Sequence, residues 1–192
     1  MYNLNSLAKY VLFVLVDGVS KVRFAKILYF THKALVQNKF VEAKELRFIR
    51  MPLGPVPVGF MSLSQDVQIS VISMANVSLS YDSQLYKSSG TPDLGLDDTV
   101  KNLITEVVPR LNELSTSVLV EESHKDPSWI NFPNGKEYVL SNGDIDVPLP
   151  LKKKNIINKE MDNQYLQATL VEGLMEEIVD ETTLLEYPKS DK

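Results

Sequence analysis

The chain contains 192 residues, carries a formal net charge of −5 at pH 7 and has no cysteine. A chain of this length buries roughly 70% of its unfolded surface, so a single core can hold it together without disulfides or a structural metal. The absence of cysteine excludes thiolate nucleophiles and cysteine-ligated zinc, and it fits a cytoplasmic protein. The acidic balance argues against a protein that coats nucleic acid or an anionic membrane, so any contact with DNA must be local.

Two helices are predicted at the start of the chain, over residues 4–16 and 20–38. The apolar run of the first is too short to span a bilayer and contains Lys9, so we expect a buried helix. Ser20 is a suitable N-cap for the second helix. Apolar residues cover most of the circumference of this second helix, which predicts a position in the middle of the core. These residues are Phe24, Ile27, Leu28, Phe30, Leu35 and Val36.

An extended arm and a rigid corner follow the second helix. The sequence ELRFIR at 45–50 alternates only loosely, which predicts a short strand or an extended arm. In the next stretch Pro52, Pro55 and Pro57 fix φ and remove backbone donors, while Gly54 permits backbone angles that other residues avoid. The corner is therefore predicted to hold one conformation.

Beyond the corner, the pattern predicts a helical turn at 57–65 and one or two strands within 67–88, where apolar and polar residues alternate. Another helix should extend to about residue 115, with Asp97 or Asp98 as its N-cap. Because proline removes a backbone donor and crowds the preceding turn, Pro109 should kink this helix or split it in two.

The last third of the chain combines an irregular part with a final helix. Residues 125–155 contain the turn signals Asn134–Gly135 and Asn142–Gly143, which are predicted to close hairpins around residues 136–140. A basic run, Lys152–Lys154, precedes an amphipathic helix predicted over 159–181.

Together these elements predict a mostly α (α+β) protein. We expect a compact helical domain over 1–150 with a short strand or hairpin element. The basic linker and the acidic C-terminal amphipathic helix, residues 151–192, are expected to pack on this domain or to be appended to it.

The sequence offers little for catalysis. His32 lies on the buried helix, where a lone histidine is more often a hydrogen-bonded core residue than a reactive group. His124 stands among Glu121, Glu122 and Asp126, which are predicted to raise its pKa. One histidine with scattered carboxylates lacks a metal-ligand spacing, and no nucleophile elbow, P-loop or dinucleotide fingerprint is present. We therefore predict no enzyme, no metal and no cofactor.

Three stretches carry a family resemblance: KILYFTHKAL at 26–35, the Gly-Pro-Val corner, and a later Ser-His…Trp element. Together they resemble the Panacea domain, the SocA-like antitoxin domain that is also described as phage-associated. Positions 50–53 depart from the family pattern, in which an aromatic pair, typically Trp and Tyr, flanks the corner. The resemblance implies a structural role for Leu28, Tyr29, Phe30, His32, Gly54, Pro55, Val56, Ser123, His124 and Trp129.

Two stretches and one side chain are candidates for contact with a partner. Between Glu160 and Glu186 the chain contains eight acidic residues and no lysine or arginine. This segment fits either a solvated helix face or a surface that covers a basic partner. Trp129 fits either packing against the core or an interface anchor. The segment 76–95 is a second candidate surface. The acidic candidates for partner binding are Glu172, Glu176, Glu177 and Asp180.

The resemblance implies an antitoxin of a type II-like toxin–antitoxin system, which neutralises a cognate toxin, encoded next to it, by direct protein–protein binding. An adaptor that presents its partner to a protease is an alternative. A small DNA-binding regulator is another, since the second helix carries Lys21, Arg23, Lys26 and Lys33, which would meet phosphates. Against the regulator, this helix is too apolar to expose a recognition face.

Overall fold

A computed structural model describes residues 2–74, 83–91 and 95–152, and the structural statements below apply to these residues. The predicted C-terminal helix at 159–181 and its acidic residues lie outside the described residues, as do residues 75–82 and 92–94.

The protein is mostly helical with small antiparallel sheets, so the predicted fold class is confirmed for the described residues. The α-helices are α1 (Leu4–Val14), α2 (Lys21–Gln37), α3 (Asp98–Asn112), α4 (Thr116–Ser123), α5 (Pro127–Asn131) and α6 (Asn142–Asp146). Short 3₁₀ helices lie at Ala43–Glu45, Phe60–Gln65 and Pro150–Lys152.

Helix α2 lies at the centre of the core, as its continuous apolar pattern predicts. Every residue from Phe24 to Leu35 is buried, and α2 packs against α1, α3 and α4. The polar residues Lys26, His32 and Lys33 are therefore buried together with the apolar ones. A helix that is enclosed on all sides needs an internal partner for each of its buried polar groups.

Among the described residues, six strands form two small sheets. They are β1 (Val19–Ser20), β2 (Phe48–Ile49), β3 (Val56–Pro57), β4 (Ile69–Met74), β5 (Ser83–Ser88) and β6 (Glu137–Tyr138). The first sheet has the order β1-β5-β4, and the second has the order β3-β2-β6, with antiparallel pairing throughout. The second sheet joins the proline corner to the region after α5.

Two predictions about the second half of the chain need correction. Asp97 caps α3, as predicted, through a bond to the backbone of Thr99, but α3 continues through Pro109 and ends at Asn112. The predicted split of this helix at Pro109 is therefore wrong. Proline lacks only its own bond to the carbonyl four residues earlier, and the helix continues despite this one loss.

The predicted hairpins around residues 136–140 are also wrong. Strand β6 pairs with β2, nearly ninety residues away in the chain. At the second turn signal, Asn142 opens α6, because Ser141 and Asp144 form a reciprocal capping box that satisfies the first backbone donors of this helix.

Candidate functional site

The Gly-Pro-Val corner lies directly on helices α2 and α4. Gly54 has a φ of 94°, and a methyl group at this position would overlap Oγ of Ser123 and approach Nζ of Lys26 to 3.0 Å. The side chain of Lys26 is buried, and its Nζ donates a hydrogen bond to the Pro55 carbonyl at 2.6 Å. Only glycine combines this backbone angle with such a close approach.

The Ser-His…Trp element holds the other side of the corner. Ser123 donates from Oγ to the Val120 carbonyl at 2.7 Å, and the His124 ring stacks on Trp129 with centroids 3.7 Å apart. The Trp129 indole N–H donates to the Met51 carbonyl at 2.9 Å, which anchors the start of the corner to α5. All three stretches of the family resemblance therefore meet in one place.

Arg50 takes part in this contact from the strand side. Its guanidinium carbon lies 4.2 Å from the centre of the Trp129 ring, within the range of a cation–π interaction. Arg50 occupies the stretch in which the family's usual aromatic pair is missing, so here a cation packs on the tryptophan. Trp129 is half-buried and its N–H has a partner. Its ring therefore packs against the domain, as one predicted role requires, and also keeps some exposed surface, as the other requires.

The prediction that acidic neighbours raise the pKa of His124 is wrong. Burial, assisted by the positive charges of Lys26 and Arg50, lowers this pKa to about 4. The acidic side chains turn elsewhere: Glu122 pairs with Lys125 at 2.6 Å, and Asp126 points into the core. His124 is therefore neutral at pH 7, as its stacking on Trp129 beside a guanidinium requires.

A buried ion pair that sequence reasoning missed lies beside the corner. Lys33 and Asp126 have no exposed side-chain surface, and Nζ lies 2.6 Å from Oδ1. The hydroxyl of Tyr29 donates to the other carboxylate oxygen of Asp126. Burial lowers the pKa of Lys33 and raises that of Asp126, while their mutual attraction opposes both shifts. The sequence signal for this pair was Lys33 itself. It lies one turn after Tyr29 on a helix without a polar face, so its charge had to find a partner inside the protein.

A second buried carboxylate, Asp144, fastens α5 to α6. It accepts hydrogen bonds from the backbone N–H and the hydroxyl of Ser128, at 2.8 and 2.6 Å, and from the same two groups of Ser141, both at 2.7 Å. Four donors from the two serines therefore bond to the Asp144 carboxylate. This contact was also missed, and its sequence signal was the capping pattern of Ser141 and Asp144.

His32 lies one turn after Tyr29 on α2, where it contacts the Phe48 ring and the N-terminal residue Tyr2. Its Nδ1 accepts a hydrogen bond from the Tyr2 hydroxyl at 2.7 Å, and Nε2 faces the Ala43 carbonyl at 3.3 Å. Its ring has no exposed surface, and burial lowers its pKa to about 4. The side chain therefore stays neutral and connects α2 with two loops.

Among the described residues, this arrangement forms a scaffold in which the buried charged groups have partners. In the part of the chain that the structure describes, no three His, Asp or Glu side chains are grouped so as to hold a metal ion. The buried lysines and carboxylates already bond to one another or to the backbone. The remaining family-motif residues Leu28, Phe30 and Val56 supply apolar contacts in and around the core.

The phosphate-binding role considered for α2 does not fit the structure. Lys26 and Lys33 are buried, and Arg23 bonds to Asn112 and Thr116 on the neighbouring helices. Side chains that are enclosed in the core cannot reach a DNA backbone. The candidate partner-binding residues Glu172, Glu176, Glu177 and Asp180 lie outside the described residues.

The fold and this set of contacts define a small helical domain in which a glycine-proline corner packs on helices α2 and α4. A family model described as antitoxin SocA-like, Panacea domain matches residues 24–130, which is more than half of the chain. The chain belongs to this family, and the resemblance drawn from the three stretches is confirmed. Searches of curated proteins and of solved structures give no match. No helix among the described residues is long and apolar enough to cross a bilayer.

The contact between Gly54 and Ser123 predicts a strong effect of one methyl group. Gly54→Ala should lower the free energy of unfolding by about 2–5 kcal/mol, because it combines an unfavourable φ with overpacking. Gly135→Ala is the matched control, since Gly135 also has a positive φ, 75°, but open space around its Cβ position. Urea denaturation compares the two variants. Equal losses would show that the packing against Ser123 is unimportant.

The buried ion pair predicts a non-additive pair of substitutions. Lys33→Met should cost about 3–5 kcal/mol of unfolding free energy, because it leaves the Asp126 carboxylate buried without its cation. Lys33→Met combined with Asp126→Leu should cost less than Lys33→Met alone. Arg47→Met, which removes an exposed ion pair with Glu137, should stay within about 1 kcal/mol. Additive losses in the double variant would contradict the assignment.

The low pKa of His32 predicts a fall in stability under mildly acidic conditions. In the unfolded state His32 is protonated below about pH 6.5, whereas the buried ring in the folded state stays neutral down to a pKa of about 4. Stability contributed by neutral His32 is thus complete above pH 6.5 and declines as pH falls, by up to about 1.4 kcal/mol per pH unit. Urea denaturation from pH 7 to pH 5 measures the slope. His32→Gln should reduce that slope, and an unchanged slope would contradict the prediction.

Proposed function

We propose that this protein is an antitoxin that neutralises a cognate toxin by direct protein–protein binding in the cytoplasm. Membership of the SocA-like antitoxin family over residues 24–130 is the observation that carries the proposal. We expect the toxin to be encoded next to it, as in other two-gene systems of the type II kind. The proposal assigns binding to the chain and no catalytic step.

The organisation of the described residues supports a binding role. The hydroxyls of the family-motif residues Tyr29 and Ser123 are used for buried internal hydrogen bonds, and the His124 ring is stacked on Trp129. A toxin must instead meet the surface of the domain. We therefore assign the motif to the scaffold and recognition to surfaces outside it, with residues 1–150 as the domain and 151–192 as an appended segment.

We propose the acidic segment as one recognition surface and residues 76–95 as another. Residues 160–186 concentrate eight negative charges, including Glu172, Glu176, Glu177 and Asp180, without a single lysine or arginine. A toxin that acts on nucleotides or tRNA would present a basic substrate-binding surface, which such a segment complements. Complementary charge accelerates association and fixes orientation.

The direct test is co-expression with each neighbouring gene. One neighbour expressed alone should arrest growth, co-expression of this chain should restore growth, and the two proteins should co-purify. Measurement of the neighbour's half-life separates masking from delivery to a protease, since masking leaves the half-life unchanged. If no neighbour is toxic and none co-purifies, the antitoxin assignment is wrong.

Charge neutralisation tests the acidic segment in the full-length chain. The combined variant Glu172→Gln, Glu176→Gln, Glu177→Gln and Asp180→Asn should slow association with the toxin about tenfold or more at low salt. A matched control neutralises four exposed carboxylates of the domain, at Asp98, Glu106, Glu113 and Glu121. Stopped-flow or surface-plasmon kinetics measures both. An equally slowed association in the control would show that the net charge of the chain, and not the position of these four residues, determines the rate.

A further inference from the structure

Strand β4 forms the edge of the first sheet among the described residues. It pairs along its full length, Ile69–Met74, with β5, and β5 in turn pairs with β1. No described strand lies on the other side of β4. Among the described residues, one side of this six-residue strand is therefore unpaired.

The register shows which backbone groups face that open side. Ser89 donates to the Gln68 carbonyl at 3.0 Å, so the positions of β4 that bond to β5 are the even ones, including Ser70 and Ile72. In an antiparallel pair the intervening residues direct their N–H and C=O groups away from the partner. Val71 and Ser73 consequently present two donors and two acceptors to the open side.

The beginning of this edge is held in place before any partner binds. Asp66 accepts hydrogen bonds from the backbone of Gln68 through Oδ1 and of Ile69 through its carbonyl, both at 2.9 Å. Lys9 on α1 fixes the Asp66 carboxylate at 2.7 Å. A strand that is already ordered loses little conformational entropy when it acquires a neighbour.

The edge also lacks the features that normally prevent pairing. From Val67 to Met74 the chain contains no charged residue and no proline, and Ile72 is 46% exposed on the outer face. Natural monomers usually protect edge strands with lysine, proline, a bulge or a covering element. An ordered, uncharged edge of this length fits an added strand.

We propose that the open edge of β4 binds an extended segment of the toxin as an additional β-strand. The inference rests on the proposed function and specifies how the partner is held. Val71 and Ser73 bond to the partner's backbone, and Ile72 packs against an apolar side chain of the added strand. The site adjoins the proposed recognition segment 76–95, because β4 and β5 lie on either side of residues 75–82.

Amide hydrogen exchange followed by NMR tests the pairing directly. In the free protein, the amides of Val71 and Ser73 should exchange about tenfold faster than those of Ser70 and Ile72, which β5 protects. Addition of one equivalent of the toxin identified by co-expression should slow Val71 and Ser73 about tenfold or more and leave Ser70 and Ile72 little changed. Fast exchange at Val71 and Ser73 in a formed complex would overturn the proposal.

Protection of both amides in the free protein would also overturn it, because the edge would then be covered by this chain or by a second copy. Sedimentation at several concentrations identifies which of the two covers it. If no neighbour is toxic, the proposed function fails and this inference fails with it. If the toxin binds without protecting the two amides, edge pairing is wrong and the proposed function stands.

A proline variant provides the second readout. Ser73→Pro removes an N–H that faces the open side, and proline is tolerated at such edge positions, so the fold should persist. Its affinity for the toxin should fall about tenfold or more, since one hydrogen bond is lost and the ring obstructs the added strand. Ser73→Thr, the matched control, changes the side chain at the same position, keeps the backbone N–H and should change affinity less than about threefold.

Unchanged affinity of a folded Ser73→Pro variant would contradict edge pairing. An equal loss in Ser73→Thr would show that the side chain at this position, and not the backbone edge, carries the contact. Ser73→Lys serves if Ser73→Pro does not fold, because a lysine at an edge opposes pairing without changing the backbone. It should reduce the affinity in the same way, and an unchanged affinity would contradict the proposal equally.

Discussion

The contact between Lys33 and Asp126 is the interaction on which the arrangement of this domain depends. It joins the C-terminal part of α2 to the start of α5 with both side chains fully buried, and Tyr29 donates to the second oxygen of the carboxylate. A buried ion pair gives little net stability compared with apolar residues, but it penalises every arrangement in which the two charges do not meet. We infer that it selects one packing of α5 on α2, and that the Trp129 contacts follow from this packing.

The corner at Gly54 depends on the same packing from the other side. Because α2 and α4 approach the corner closely, the absence of a side chain at Gly54 allows Lys26 to reach the Pro55 carbonyl. The guanidinium of Arg50 and the ring of His124 then pack against Trp129. The family stretches thus form one continuous set of contacts in the interior. A scaffold of this kind leaves the surface free to vary with the partner, as the proposed role in toxin binding requires.

The helical part of the fold could be predicted because its signals are local. The boundaries of α1 and α2 differ from the predicted ones by one or two residues, and Asp97 caps α3 as predicted. The hairpin around β6 was mispredicted, because Asn142–Gly143 was read as a turn signal. In the structure Ser141 and Asp144 form a capping box there, and a helix begins. The pKa of His124 was mispredicted for a related reason. Sequence neighbours suggested acidic surroundings, whereas burial and two distant cations determine its charge.

The sequence by itself determined the helical core, the rigidity of the corner and the family, since each depends on apolar spacing, proline or short motifs. Only the tertiary structure decided that Lys33 meets Asp126, 93 residues away, and that the corner closes on Ser123. It also decided that one edge of β4 is open among the described residues. The physical reason is that a pattern along the chain specifies which face of an element is apolar. It does not specify which distant polar group that face will meet, because that choice depends on packing in three dimensions.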